Sequence, residues 1–243
     1  MDLQEAQFVV FDTETDDVDR TTCRVLEIGA VVTNSQGEIS SSFSSYVQTD
    51  RPILPEVSAT HHIVVGDLEG APTRVEVAKA LMPYLGKYPW VAHNLNFDEV
   101  VVSQQLGFTV PADCLCTFRL AKKLWPDAGS HGLQPLAYML GLYFGIPRAE
   151  RVGHAALADV HVTVKLLVQE LELCQRKGLE TVEAVVKWCW EPVFVEKCPF
   201  PKYRGQSTRT LPTDYMQWIL GNIKDLDDDL KQTFLQILHE RGG

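Results

Sequence analysis

Residues 8–15 read Phe-Val-Val-Phe-Asp-Thr-Glu-Thr, an apolar run that ends in two acidic residues. A short apolar run of this kind is typical of a buried central strand. Residues two apart on a strand point to the same face, so we expect the carboxylates of Asp12 and Glu14 to lie side by side. Two adjacent carboxylates repel each other unless a cation lies between them. The stretch therefore predicts both a central strand and a site for a hard divalent metal ion.

Two later segments add further acidic residues and a histidine beside predicted helices. Residues 93–98 read His-Asn-Leu-Asn-Phe-Asp, where Asn94 or Asn96 would cap a helix over 96–106 and Asp98 would lie in or near its first turn. Residues 154–159 read His-Ala-Ala-Leu-Ala-Asp, and the apolar spacing that follows predicts an amphipathic helix over 155–176. Asp159 falls in its opening turns and His154 in the preceding loop. Together with the first pair, these residues predict a two-metal phosphodiester-cleaving site.

Each of these residues also has a purely structural explanation. A strand-to-loop corner would account for Asp12 and Glu14, a helix start for Asp98, and a solvated loop for His154. Their co-occurrence favours catalysis. The histidines without such company are assigned structural roles: His61, His62, His131, His161 and His239.

The three segments resemble, in order and spacing, the three motifs of the DEDDh (DnaQ-like) 3′→5′ exonucleases. The likeness covers about residues 7–175 and includes Leu26-Glu-Ile-Gly-Ala30 between the motifs. It implies a ribonuclease H-like α/β fold, a mixed sheet flanked by helices. It also implies that Asp12, Glu14, Asp98 and Asp159 bind two Mg²⁺ ions, with Mn²⁺ able to substitute, and that His154 acts as general base. The product would be nucleoside 5′-monophosphates.

Within this family, two segments resemble exodeoxyribonuclease X. They are Cys116–Pro126 and a tail in which Phe200-Pro-Lys-Tyr-Arg-Gly205 precedes Tyr215-Met-Gln-Trp-Ile219. The likeness implies DNA 3′ ends as the substrate, single-stranded and duplex, and a role in DNA repair. Pro201 departs from the glycine usual there, and its fixed φ alters the local turn. An exoribonuclease of the oligoribonuclease or ribonuclease T type, acting on RNA, remains an alternative, as does a non-catalytic binding module.

Several residues are candidates for contact with nucleic acid. Thr13, Thr15 and Val18 should border the pocket for the terminal nucleotide. Val18 would either stack beside the last base or anchor its acidic loop on the core. The remaining candidates are His93, which would orient the motif backbone, and Asn94, Lys202 and Arg204. Arg209 joins the last two as a possible phosphate contact, unless the tail is a structural brace.

Composition limits the remaining possibilities. The 243 residues carry a net charge of −10, so phosphate affinity must come from local basic clusters or bound metal. The 6 cysteines show no metal-binding spacing and are expected as reduced thiols. No apolar run approaches the roughly 20 residues of a membrane span, and no cationic leader opens the chain. We expect a cytoplasmic protein that does not bind membranes, with its oligomeric state open and a homodimer possible.

Local patterns divide the chain into three parts. Residues 1–176 are the predicted exonuclease domain, 177–195 a helical connector and 196–243 a small, mainly helical appendage. Strands are expected near 7–12, 25–33, 38–48 and 90–93. Further helices are expected near 55–60, 72–86, 117–124, 132–140, 180–190, 212–221 and 225–240, with Pro72 in the first turn of the second.

Overall fold

A mixed five-stranded sheet forms the centre of the larger part of the protein. The computed structural model describes residues 1–147, 153, 155–224 and 226–242, and over these the chain forms two compact units, Met1–Cys189 and Trp190–Gly243. The strands are β1 (Gln7–Thr15), β2 (Val25–Asn34), β3 (Ile39–Tyr46), β4 (Trp90–Ala92) and β5 (Leu115–Cys116). Their order is β3-β2-β1-β4-β5, with β1 central as predicted. The β1–β2 and β2–β3 pairs are antiparallel, and the β1–β4 and β4–β5 pairs are parallel.

The helices of the first unit lie between and after the later strands of the sheet. The first unit contains α1 (Pro55–His61), α2 (Arg74–Leu85), α3 (Leu95–Leu106), α4 (Thr117–Leu124), α5 (Leu133–Met139), α6 (Ala156–Arg176) and α7 (Val182–Trp190), the last of which ends at the boundary. The longest, α6, packs on β1 and β2. Its buried residues recur at intervals of three and four, as the apolar spacing predicts. The side chains of Phe8, Val9, Val10 and Phe11 are fully buried, which explains why this short run is the centre of the sheet.

The starts of two helices differ in part from the expectation. Pro72 lies before α2, because Thr73 caps that helix: its hydroxyl accepts from the Glu76 N–H, while the Glu76 carboxylate accepts from the Thr73 N–H at 2.8 Å. Asn94 does occupy the cap position of α3, but among the described residues its side chain makes no capping hydrogen bond. Its backbone is left-handed, with φ of 66°, a conformation that asparagine tolerates better than most residues. Asn96 lies inside the helix.

The second unit has its own apolar core. It contains α8 (Thr213–Asn222) and α9 (Asp228–Gly242). Met216 and Ile219 of α8 are buried in one cluster with Leu230, Phe234 and Ile237 of α9. The boundaries of the three predicted functional parts, at 176 and 196, stay a prediction.

Two smaller expectations concern thiols and membranes. All six cysteines are buried and unpaired in the structure, and their state as reduced thiols stays a prediction. Over the described ranges, no helix combines the length and the apolar character needed to cross a membrane.

Candidate active site

Three carboxylates meet at the end of the central strand. Ligand oxygen atoms of Asp12, Glu14 and Asp159 all lie within 4.8 Å of one another. Asp12 and Glu14 share one face of β1, as their spacing predicts, and Asp159 reaches them from the first turn of α6. Asp159 is buried, while the other two are partly exposed. The structure thus brings Asp159 beside Asp12, although the two residues are 147 positions apart in the sequence.

The close approach of α6 to the sheet depends on a glycine. Gly29 of β2 lies opposite Asp12 in the antiparallel pair. A Cβ atom at Gly29 would lie 2.6 Å from the backbone nitrogen of Leu157 and 2.7 Å from the carbonyl carbon of Ala156. No side chain fits there without displacing the helix backbone. The absence of a side chain at Gly29 therefore lets the start of α6 deliver Asp159 to the other two acids.

Asp98 enters the site from α3 and is held by Thr13. The backbone N–H of Thr13 donates to Asp98 Oδ1 at 3.1 Å, and the Thr13 hydroxyl donates to the same oxygen at 2.6 Å. Asp98 is buried in the first turn of α3, where the sequence places it. It lies outside the group of three whose oxygens are within ligand distance of one another, but its charge acts on Asp12.

Burial, together with neighbouring carboxylates, disfavours ionisation of the acids of the site. Burial, followed by the charges of Asp98, Glu14 and Asp159, raises the pKa of Asp12 well above its ordinary value. Burial, followed by the charges of Asp159, Glu27 and Asp98, raises the pKa of Glu14 to about 8. Burial raises the pKa of Asp98 to about 7, although the hydrogen bonds from Thr13 act in the opposite direction. Among the described residues, every charge that shifts the pKa of Asp12 is another carboxylate. A cation supplied from outside the chain would relieve this repulsion.

Three supporting residues were not assigned to the site from the sequence. Gln134 Nε2 donates to Asp159 Oδ1 at 2.7 Å, and the Tyr143 hydroxyl donates to Gln134 Oε1 at 2.5 Å, which fixes the orientation of the amide. Glu27, opposite Glu14 in the strand pair, accepts from the Ala156 N–H at 3.3 Å and so holds the start of α6. Glu27 lies two residues before Gly29 in the segment that resembles the family. Nothing in the local pattern around Gln134 pointed to the site.

The predicted general base, His154, lies outside the described residues. Its two chain neighbours lie beside the acids. A Cβ atom at Gly153 would be 2.8 Å from Gln134 Nε2, and the Ala155 carbonyl accepts from the backbone N–H of Asp159 at 3.0 Å. The role of His154 stays a prediction.

The threonines of the first motif point into the protein. Thr13 and Thr15 are both 7% exposed, and the Thr15 hydroxyl donates to the carbonyl of Asp17 at 2.7 Å. Because both hydroxyls are occupied within the protein, side-chain contact with a nucleotide is not supported for either. Val18 is 80% exposed, which rules out the alternative that it anchors its loop on the core.

His93 uses both ring nitrogens inside the protein. Burial lowers its pKa to about 4, so the ring is neutral near pH 7. Nε2 lies 3.0 Å from the His131 carbonyl and therefore carries the proton, which leaves Nδ1 to accept from the Thr117 hydroxyl at 2.9 Å. This arrangement favours the expected orienting role over direct contact with nucleic acid. Asn94, next to it, is exposed.

His61 supports the end of the central strand. Its Nδ1 accepts from the Ile63 N–H at 3.0 Å, so Nε2 carries the proton and donates to the Thr15 carbonyl at 3.2 Å. This is the kind of structural role that the sequence assigned to the isolated histidines.

Comparison with known proteins agrees with this geometry. The sequence model of the RNase T family, described as an exonuclease, matches residues 9–167. The chain is 27% identical over 228 residues to exodeoxyribonuclease 10 of Escherichia coli strain K12, covering 91% of this chain and 97% of that protein. It is 30% identical over 169 residues to the DNA polymerase III subunit epsilon of Treponema pallidum strain Nichols, covering 67% of this chain and 75% of that one.

A solved structure of exonuclease X in complex with 5′ overhanging duplex DNA matches with a TM-score of 0.58 and 28% identity, covering 75% of this chain and 99% of that chain. The predicted ribonuclease H-like arrangement of a mixed sheet and flanking helices is thereby confirmed. The chain belongs to the RNase T exonuclease family, and it is a DnaQ-like 3′→5′ exonuclease of the DEDDh type.

Proposed function

We propose that this exonuclease hydrolyses the terminal phosphodiester at 3′ ends of DNA, releases nucleoside 5′-monophosphates, depends on divalent metal and serves DNA repair. The observation that carries the proposal is the convergence of Asp12, Glu14 and Asp159 oxygens within 4.8 Å, with buried Asp98 beside them. DNA as the substrate is supported by the names of the exodeoxyribonuclease relative and of the duplex-bound structural neighbour.

The donor set fits Mg²⁺, with Mn²⁺ as a substitute. All four side chains offer carboxylate oxygens, which hard divalent ions prefer. Asp12, Glu14 and Asp159 would hold one ion, and Asp98 would support a second one with Asp12. Two such ions, when bound, stabilise the entering and leaving oxygens of an in-line displacement at phosphorus. The raised pKa values of these acids are expected when buried carboxylates are close together without the cations that they would bind.

The protein's own groups would position and deprotonate the attacking water. His154, with an ordinary pKa of about 6.5, would take its proton near neutral pH. The phosphorus–oxygen bond to the penultimate nucleotide would then break, leaving a 3′-hydroxyl on the shortened strand and the phosphate on the released nucleotide. The hydrogen bond from Gln134 keeps Asp159 oriented during this step. Exposed Val18 and Asn94 would lie against the terminal nucleotide.

The appendage predicted at 196–243 would contribute Lys202 and Arg204 to DNA binding. Both are exposed, and among the described residues neither has an acidic partner. Lys202 Nζ lies 5.2 Å from the ring centroid of Tyr203 and 5.3 Å from that of Tyr215, so the cation lies beside two aromatic rings. Cations combined with aromatic rings are the usual means of binding single strands.

Arg209 makes contacts within its own unit that compete with phosphate binding. Its guanidinium pairs with Glu240 at 3.0 Å and lies 4.3 Å from the Phe194 ring centroid, and these contacts favour a structural role for this exposed residue.

Digestion of 5′-labelled strands tests the proposal. Single-stranded DNA, duplex DNA and RNA of the same sequence are incubated with the purified protein and Mg²⁺. The expected result is a ladder of shortened labelled DNA, release of 5′-monophosphates and slower cleavage of RNA. Preferential cleavage of RNA would replace the substrate assignment, and an undiminished rate in excess chelator would reject metal dependence.

A further inference from the structure

A cavity outside the acidic site contains two arginines. Its volume is about 330 Å³, and it lies in the Met1–Cys189 unit. Arg24 precedes β2 and Arg74 begins α2, while the segment after β3, including Asp50, forms another wall. Arg74 and Asp50 are exposed, so the cavity opens to solvent.

The two guanidinium groups are held together by an uncharged acceptor. Arg24 donates to Gln105 Oε1 at 3.3 Å, and Arg74 donates to the same oxygen at 2.9 Å. Gln105 Nε2 donates to the Cys23 carbonyl at 3.1 Å, which fixes the amide with its oxygen toward the arginines. A neutral oxygen shared by two cations does not cancel their repulsion.

Most of the hydrogen-bonding capacity of these arginines is unused. A guanidinium has five N–H donors. Over the described part of the chain, each of the two donates to Gln105 through one nitrogen, and no ion pair joins either of them to Asp50. The charges lining the cavity are two cations and one carboxylate. An anion with several oxygen atoms would satisfy the remaining donors and the excess positive charge.

Helix α3 connects this cavity with the acidic site. Asp98 lies in its first turn, and there a guanidinium N–H of Arg20 also donates to the carbonyl of Asn96. Gln105 lies seven residues beyond Asp98, which corresponds to about 10 Å at 1.5 Å per residue. That distance equals about three steps of a B-form strand at 3.4 Å of axial rise, and fewer steps of an extended single strand. A strand that left the acidic site along α3 would carry one of its phosphates to the cavity.

We propose that the cavity between Arg24 and Arg74 binds one internal phosphate of the strand whose 3′ end is being hydrolysed. The ligand is a phosphodiester, held by the two guanidinium groups that Gln105 sets side by side. The site increases the affinity for longer substrates and takes no part in bond cleavage. This proposal rests on the proposed nuclease function, because it requires a nucleic acid strand in the acidic site.

A walk with neutral linkages tests the site. Each single-stranded DNA substrate carries one methylphosphonate. Its position varies over five linkages, beginning with the linkage next to the terminal one that is cleaved. KM is measured for the parent, for Arg74→Gln and for the control Arg176→Gln. Arg176 is an exposed cation in the last turn of α6 and gives a matched loss of charge. Cleavage of a dinucleotide, which is too short to reach the cavity, is measured alongside.

In the parent, one methylphosphonate position should raise KM about tenfold, because the neutral linkage cannot accept charge-assisted hydrogen bonds from the two guanidinium groups. Arg74→Gln should raise KM similarly on the natural strand, should abolish the sensitivity at that position, and should leave dinucleotide cleavage unchanged. The KM of Arg74→Lys should lie between those of the parent and of Arg74→Gln. The KM of Arg176→Gln should match that of the parent.

Three outcomes would overturn the site. If KM is the same for every position of the methylphosphonate, the cavity binds free phosphate or a mononucleotide and not an internal phosphate of the strand. A purely structural role for Arg74 would slow dinucleotide cleavage as well, and Arg74→Gln with unchanged KM would remove the site outright. A parent that cleaves no DNA rejects the proposed function along with the site, whereas normal parent cleavage with any of the three outcomes rejects the site alone.

Discussion

Replacement of Gly29 by alanine should separate the acids of the site. The new Cβ atom would lie 2.6 Å from Leu157 N and 2.7 Å from the carbonyl carbon of Ala156, whereas ordinary contacts begin at 3.4 Å. Because both neighbours are backbone atoms, the first turn of α6 must move by about 0.8 Å, the difference between 3.4 and 2.6 Å. Asp159, two residues beyond Leu157, moves with it. A misplacement near 1 Å can cost about 100-fold in rate, and overpacking costs about 1–3 kcal/mol of stability.

The assay for Gly29→Ala combines kcat on 5′-labelled DNA with urea denaturation. We expect a loss of about 10- to 100-fold in kcat together with reduced stability. Gly66→Ala is the matched control, because a Cβ atom there meets nothing within 4 Å. Parental kcat and stability in Gly29→Ala would refute the claim that this glycine sets the distance between α6 and the sheet. A loss of stability with normal kcat would show that the position of Asp159 tolerates the shift.

Four further outcomes are expected. Asp12→Asn should abolish cleavage yet stabilise the metal-free protein, since an amide avoids the burial and the carboxylate repulsion that raise the pKa of Asp12; chemical denaturation in chelator compares the two proteins. Glu14 has a folded pKa of about 8 against an ordinary 4.5, so the stability it contributes is complete below pH 4.5 and is lost as the pH rises through about 8; denaturation of metal-free protein across this range should show the decline, and Mg²⁺ should flatten it. His154→Ala should lower kcat by roughly 10²–10⁴-fold and remove the limb of the pH–rate profile near pH 6.5, and an unchanged profile would place the base elsewhere. Reversing the charges of Lys202 and Arg204 should weaken binding of long DNA and reduce the salt slope by roughly one unit per lost contact; unaltered binding would leave the appendage a structural brace.

The parts of the fold that rest on local periodicity were predictable. The central strand follows from a run of four apolar residues that are all fully buried, and α6 follows from its buried stripe. The juxtaposition of Asp12 and Glu14 follows from the alternation of side chains along a strand. Strand β5 escaped prediction because its two residues, Leu115 and Cys116, are too few to show any period.

The features that depend on distant pairs were not predictable from local patterns. The Thr13 hydroxyl reaches Asp98 across 85 positions, and Gln134 reaches Asp159 across 25. Arg24 and Arg74 converge on Gln105 from 81 and 31 positions away, so no short motif contains the cavity. Asn94 shows the same limitation locally: its residue type is suited to a cap, but the chain uses it for a left-handed backbone.

Titration with Mn²⁺ tests the metal site most directly. Free Mn²⁺ is followed by electron paramagnetic resonance as metal-free protein is added, in the presence of a nucleoside 5′-monophosphate, and cleavage of labelled DNA is measured in the same samples. The account predicts about two ions bound per chain and cleavage that rises with their binding. It also predicts that Asp12→Asn loses both properties while remaining folded. Full Mn²⁺ binding by Asp12→Asn, or cleavage by the parent without bound metal, would contradict the assignment of these carboxylates to the catalytic centre.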